Sequence, residues 1–295
     1  MRRVMREAWE LLKQTVLGFI NDGAFSHGAA MAFYAVTSLA PILLIVVAIA
    51  GLVFGHEAAQ LGLSAEIAGV MGSQSAELLR ITIEGASQKT AGTLATILGI
   101  VTLLMTASGV FGEMQLSLNQ IWKIAPTGTT LSRLVRARAA SLGLVAALGF
   151  LLLVSLVASA AISALNQVIN AYLPFGAVIL GTTNEIVSFI LLSILFAAIY
   201  KILPDRRLGW RDVAIGAVVT AFLFTIGKSL IGWYIATSAI ASSYGAAGAL
   251  LVVLLWVYYS SEIFLLGAEF TRAYSVRHGS RSDLQALVEG RHQRR

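Results

Sequence analysis

The chain of 295 residues is 57% hydrophobic and only 12% charged, with a mean hydropathy of +0.81. A soluble domain carries about 25% charge, so this composition excludes an ordinary water-soluble globule and turns most of the surface toward lipid. There are no cysteines, which excludes a disulfide framework and a thiolate metal site. The net charge of +6 raises nucleic acid as a partner, but basic residues of a membrane protein collect on its cytoplasmic side.

Residues 1–28 predict a basic amphipathic helix on the inner membrane face. Val4, Ala8, Leu11, Leu12, Thr15, Val16 and Phe19 follow helical spacing, with Arg2, Arg3, Arg6 and Lys13 elsewhere. No cleavable signal is expected, because the first apolar run starts near Ala29 and is too long for an h-region. Six apolar runs then read as spans, at 29–53, 91–111, 141–163, 183–203, 213–235 and 246–268. Each is long enough for a ~30 Å hydrocarbon core. Between the first two, residues 55–90 read as short interfacial helices. Residues 112–122 continue span two, with Met114, Leu118, Ile121 and Trp122 on one face and Glu113, Ser117 and Gln120 on another. Residues 271–295 read as a basic, mobile cytoplasmic tail.

Orientation follows from the bases. Eighteen of the 21 Lys and Arg fall in 1–28, 112–140, 201–212 and 269–295, two (Arg80 and Lys89) fall on the other side, and Lys228 lies within a span. That asymmetry places both termini in the cytoplasm. The reading is thus an all-α polytopic membrane protein with six transmembrane helices in one domain, 29–270, and amphipathic interfacial helices. Trp9, Trp122, Trp210 and Trp233 fall at span ends or on interfacial helices, where an amphipathic ring suits the boundary. Trp256 falls mid-span and reads as packing or lipid contact.

Enzyme motifs are missing. Gly227-Lys228-Ser229 resembles the end of a phosphate loop, but the position for its first glycine is Phe222 and the tripeptide lies inside an apolar helix. His27, His56, His278 and His292 are scattered without an evident carboxylate partner, so neither a metal site nor general-base work is expected. No cofactor is expected either.

The charges inside the spans carry more information, since each costs about 2.5–3.5 kcal/mol on insertion scales. They are Glu185, Lys228 and Glu262, with Glu269 at the inner edge. Glu262 and Glu269 are seven residues apart and share a helix face. Such a pair suits a bound proton or cation. The alternative makes Glu262 a satisfied structural acid and lets Glu269 reach the interface near Arg272. By depth, Lys228 matches Glu185 and not Glu262, which predicts a Lys228–Glu185 meeting within the bundle; the alternative is that Lys228 snorkels alone to the outer headgroups. Pro41, mid-span, frees the Thr37 carbonyl and reads either as a hinge or as a static kink, with Thr37 and Ser38 placed to re-satisfy the backbone. Gly51, Gly55 and the hydroxyl residues of span two read as close helix packing or as a polar path.

Four stretches resemble the YihY/BrkB family of bacterial inner-membrane proteins. They are the run from Gly28 through Tyr34 and Ser38 to Pro41; Leu118-Asn119-Gln120-Ile121-Trp122; Tyr244-Gly245-Ala246-Ala247-Gly248; and Trp256 through Gly267 to Glu269. The resemblance covers roughly residues 15–275. It implies a six-helix inner-membrane protein of a family described through virulence or envelope factors, some of them labelled ribonuclease BN, and it supplies no catalytic residues. A nuclease is rejected on physical grounds, since phosphodiester cleavage needs positioned acid–base groups or metals within reach of a strand. The expected function is that of an inner-membrane transporter-like protein for a lipid, another envelope amphiphile or an ion. The alternative is a non-transporting scaffold for envelope machinery. The implied partners are membrane lipids with anionic headgroups at the cytoplasmic face; a homo-oligomer is left open, and nucleic acid is excluded.

Overall fold

The computed structural model describes residues 2–38, 61, 62, 64, 77, 109–124, 176–206, 208–238 and 246–279. The third expected span, Pro41, Gly51, Gly55, the hydroxyl residues of span two, Tyr244 and Gly245 lie outside the described residues, as does the chain after 279. The fold is all-α, and among the described residues there is no strand.

Helix α1 spans Arg2–Asn21. Its apolar residues form one broad arc that burial divides in two. Thr15 and Phe19 are buried against the protein, whereas Met5, Trp9, Leu12, Val16 and Ile20 are exposed. The apolar arc expected from the sequence is there, opposite the Arg, Lys and Glu residues, but only one edge of it is covered by protein. Gly23 ends α1 with φ +68°, donating its N–H to the Ile20 carbonyl at 3.2 Å, the left-handed exit that glycine adopts without strain. Helix α2 starts at once and is described over 24–38. The helix of the first span therefore begins five residues before the expected 29. Ala24, Gly28, Met31 and Ala32 are buried, the i, i+4, i+7, i+8 stripe of a helix with one protein-facing side.

Helix α3 is described over 109–121 and buries Leu118, Ile121 and Trp122. It ends in a two-bond cap. Lys123 N–H donates to the Gln120 carbonyl at 3.0 Å and Ile124 N–H to Asn119 at 2.9 Å, the pairing of a Schellman motif. The left-handed position falls on Lys123, at φ +52°. A non-glycine residue there carries backbone strain. Trp122 is 4% exposed, so it is a core residue and not the interfacial anchor expected from its place at a span end. It packs in one cluster with Phe19, Leu203 and Leu208. Trp9, Trp210 and Trp233, each 68% exposed, do present their rings outward.

Three long helices follow: α4, Gly176–Ile202; α5, Trp210–Thr237; and α6, Ala246–His278. Each contains a stretch long and apolar enough to cross a membrane, Glu185–Ile202, Trp210–Ile235 and Leu250–His278. At 33 residues, α6 is about 50 Å long and projects beyond a ~30 Å core. It absorbs residues 271–278, which the sequence placed in the tail. Helix α5 packs between α4 and α6, and α1 packs against α6. The α5–α6 seam uses small residues for close approach: a Cβ on Gly216 would overlap the Thr271 side chain, and one on Gly267 would overlap that of Thr220. Gly227, rather than cradling a phosphate, receives Ile263 and Tyr259. Tyr200, buried on α4, donates its hydroxyl to the Phe264 carbonyl on α6 at 2.7 Å and lies 3.1 Å from the Thr220 hydroxyl on α5. Phe196 and Phe264 stack on its ring, and Phe224 meets Phe196 edge-on.

Candidate functional site

The α6 residues facing the amino-terminal hairpin are Glu262 and Glu269, two turns apart. Each lies over a glycine. A Cβ on Gly28 of α2 would overlap the Glu262 carboxylate, and one on Gly18 of α1 would overlap that of Glu269. Both glycines give the acids room that any larger residue would fill. Both Glu262 oxygens are buried without a hydrogen-bond partner among the described residues. The Tyr258 hydroxyl of the same helix interacts with this carboxylate without meeting it in hydrogen-bond geometry. Glu269 is 1% exposed. Its Oε2 receives Arg272 Nη1 at 3.4 Å, while Oε1 is buried without a partner among the described residues.

Around Glu269 the chain assembles a charge cluster. Asp22, at the α1–α2 turn, pairs with Lys123 from the α3 cap, and Arg272 Nη1 lies 4.0 Å from Asp22 Oδ2. The left-handed conformation of Lys123 brings its ammonium to this acid. Gln120 donates to the Asp22 carbonyl at 2.7 Å, and its Oε1 lies 3.1 Å from His27 Nε2. His27 Nδ1 in turn lies 2.6 Å from Glu113 Oε1. His27 thus has the carboxylate partner that the sequence did not reveal, because Glu113 lies 86 residues away along the chain. A cavity of about 540 Å³ opens beside the cluster, lined by Leu17, Gly18, Asp22, Lys123, Glu269 and Arg272 among others.

The family-motif residues that are described serve as joints. Asn119 donates to Asp205 Oδ2 at 2.7 Å and accepts the Asp205 backbone N–H at 2.9 Å, and Gln115 donates to Oδ1 at 3.0 Å. The loop between α4 and α5 is thereby tied to α3. Ser38 is fully buried, with its hydroxyl on the Ala35 carbonyl at 3.0 Å. The Thr37 hydroxyl bonds the Phe33 and Tyr34 carbonyls. The Tyr34 ring covers Gly109, closing α2 onto α3. Trp256 meets Phe224 edge-on at 6.1 Å. Asp212 accepts a hydrogen bond from Ser275 at 2.6 Å, joining the start of α5 to the end of α6.

Glu185 and Lys228 stand apart from this cluster. Lys228 Nζ lies 3.9 Å from Glu185 Oε2, with the side chains 38% and 67% exposed. The two groups meet as their depths predict, but on the outer surface of α4 and α5 and not inside the bundle.

Over residues 15–289 the sequence matches the family model described as virulence factor BrkB. The chain belongs to that family. It is 35% identical over 174 residues to a UPF0761 membrane protein of Pasteurella multocida, covering 58% of this chain and 52% of that one. It is 29% identical over 194 residues to a UPF0761 membrane protein of Aggregatibacter aphrophilus, covering 65% and 66%. A third, from Ralstonia nicotianae, is 32% identical over 175 residues, covering 59% and 38%. The chain thus spans less than two thirds of the length of each of these relatives. No solved structure matches it. Family and helices together make this a helical membrane protein, and neither the family's description nor the relatives' names carry an enzymatic activity.

Proposed function

We propose that the protein is a bacterial inner-membrane transporter, with six spans and cytoplasmic termini, that translocates a lipid or other envelope amphiphile or an ion along the α6 seam. The observation that carries this reading is the Glu262–Glu269 face of α6, where three carboxylate oxygens are buried without a partner among the described residues. Acids inside a membrane are costly and mark substrate or ion pathways. Here both acids point at glycines, with open space at one end of the row. Oxygens kept in that condition are suited to groups that arrive and leave.

The test is translocation by the purified full chain in liposomes of bacterial phospholipid, following fluorescent lipid flip and proton flux, with Glu262→Gln beside the parent. The expected result is activity in the parent and its loss in the variant at unchanged expression and melting temperature. No translocation by the parent, together with full biological function of Glu262→Gln, would transfer the assignment to the scaffold.

A further inference from the structure

The cleft between α1 and α6 has the chemistry of a zwitterion receptor. Its inner wall presents two acids, Asp22 and Glu269. Lys123 and Arg272 balance their charge: Arg272 Nη1 reaches Glu269 Oε2 at 3.4 Å and lies 4.0 Å from Asp22 Oδ2, and Lys123 takes Asp22 Oδ1. Two oxygens still lack a hydrogen-bond donor among the described residues, Asp22 Oδ2, which has Arg272 only at ion-pair distance, and Glu269 Oε1; both are buried. Both are acceptors, and Glu269 is fully buried in the cavity wall. A ligand that completes them must donate hydrogen bonds, and a positive charge on the donor is favoured where two carboxylates lie side by side.

At the mouth the polarity reverses. The Lys123 side chain is 55% exposed and that of Arg272 is 30% exposed. An ammonium has three donors and a guanidinium five, so each has donors left for an anionic oxygen. The side wall beside Gly18 is Leu17, which is exposed and continues into the exposed Val16 and Ile20 of α1. Absence of a side chain at Gly18 lets the Glu269 carboxylate lie against α1 at this wall. The volume, about 540 Å³, falls within the roughly 300–1,000 Å³ of small-ligand sites.

We propose that this cleft binds an ethanolamine phosphodiester, its primary ammonium donating to Asp22 Oδ2 and Glu269 Oε1 and its phosphate held by Lys123 and Arg272. Cluster and ligand are each neutral in sum, so binding buries no net charge. A choline headgroup fails the first requirement, since a quaternary ammonium has no N–H to donate. A glycerol headgroup has hydroxyls to donate but no positive charge, so its phosphate brings an uncompensated negative charge to a neutral cluster. The same headgroup chemistry comes from a phospholipid or from a soluble glycerophosphodiester, and the apolar wall distinguishes the two. The inference rests on the translocation reading and names the headgroup that the α6 seam would handle.

The experiment uses the delipidated full chain in a neutral detergent, with melting followed by tryptophan fluorescence against dihexanoyl-phosphatidylethanolamine, dihexanoyl-phosphatidylcholine, dihexanoyl-phosphatidylglycerol and glycerophosphoethanolamine. The ethanolamine lipid is expected to raise the melting temperature saturably, with at least tenfold tighter binding than the choline or glycerol lipid. Weaker binding of glycerophosphoethanolamine identifies the source as the lipid, and equal binding identifies it as the soluble diester. Glu269→Gln is expected to abolish the discrimination between ethanolamine and choline. If that variant does not fold, Lys123→Gln, changed at a half-exposed side chain, is expected to weaken the ethanolamine lipid at least fivefold while keeping its lead over choline. Equal affinities for the ethanolamine and choline lipids in the parent protein would overturn the assignment. Ethanolamine-selective binding without translocation counts against transport alone; translocation without any ethanolamine preference counts against the headgroup alone.

Discussion

The Glu269 carboxylate of α6 occupies the place where a side chain on residue 18 of α1 would begin. The glycine is therefore part of how α1 is seated on α6.

Gly18→Val should overpack this contact and lower stability by about 1–3 kcal/mol, the usual range for added volume at a packed site. Gly18→Ala should do less. Thermal unfolding in detergent checks both. A valine variant that melts with the parent would mean that α1 is free to move away from α6.

The Glu185–Lys228 pair should be weak. At 3.9 Å and largely exposed, it falls in the class of surface ion pairs worth about 0.2–1 kcal/mol. A double-mutant cycle with Glu185→Gln and Lys228→Met, read by melting temperature, should return a coupling in that range. Zero coupling would assign Lys228 to the headgroups alone.

Asn119→Ala should release the α4–α5 loop from α3. It removes two hydrogen bonds with Asp205, one of them to its carboxylate, and charge-assisted bonds of that kind contribute about 1.5–3 kcal/mol. Protease accessibility at residues 203–209 should rise before global unfolding does. An unchanged cleavage rate would show that Gln115 alone holds the loop.

Topology is tested by reporter fusions. Those after residues 175 and 240 should read as external, and those after 130, 208 and 290 as cytoplasmic. One reversed fusion breaks the six-span arrangement.

Long apolar runs made α4, α5 and α6 legible, since length and composition alone mark a span. The same local rules misled where apolar residues serve two masters. Trp122 looked interfacial because it follows a span, but the core it enters is built from Phe19 and Leu208, distant in sequence. The two faces of α1 were indistinguishable for a similar reason, as periodicity reports a stripe and not what covers it. Of the site, Glu262 and Glu269 were visible as charges out of place. Asp22, Lys123, Gly18 and His27 were not, because each looks ordinary until the chain brings it beside α6 or α3. The strained Lys123 had no sequence signal at all, as lysine is a rare occupant of a left-handed cap.

The Tyr200 hydroxyl touches α5 and α6 at one level, on Thr220 and on the Phe264 carbonyl, and so ties α4, α5 and α6 together there. Glu269 lies five residues from Phe264 and Leu250 fourteen on the other side, lever arms of about 7.5 and 21 Å at 1.5 Å per residue. The acid cluster therefore lies close to the tied level and the Leu250 end nearly three times farther from it, so a tilt of α6 about this junction would displace the far end nearly three times as much as the cluster.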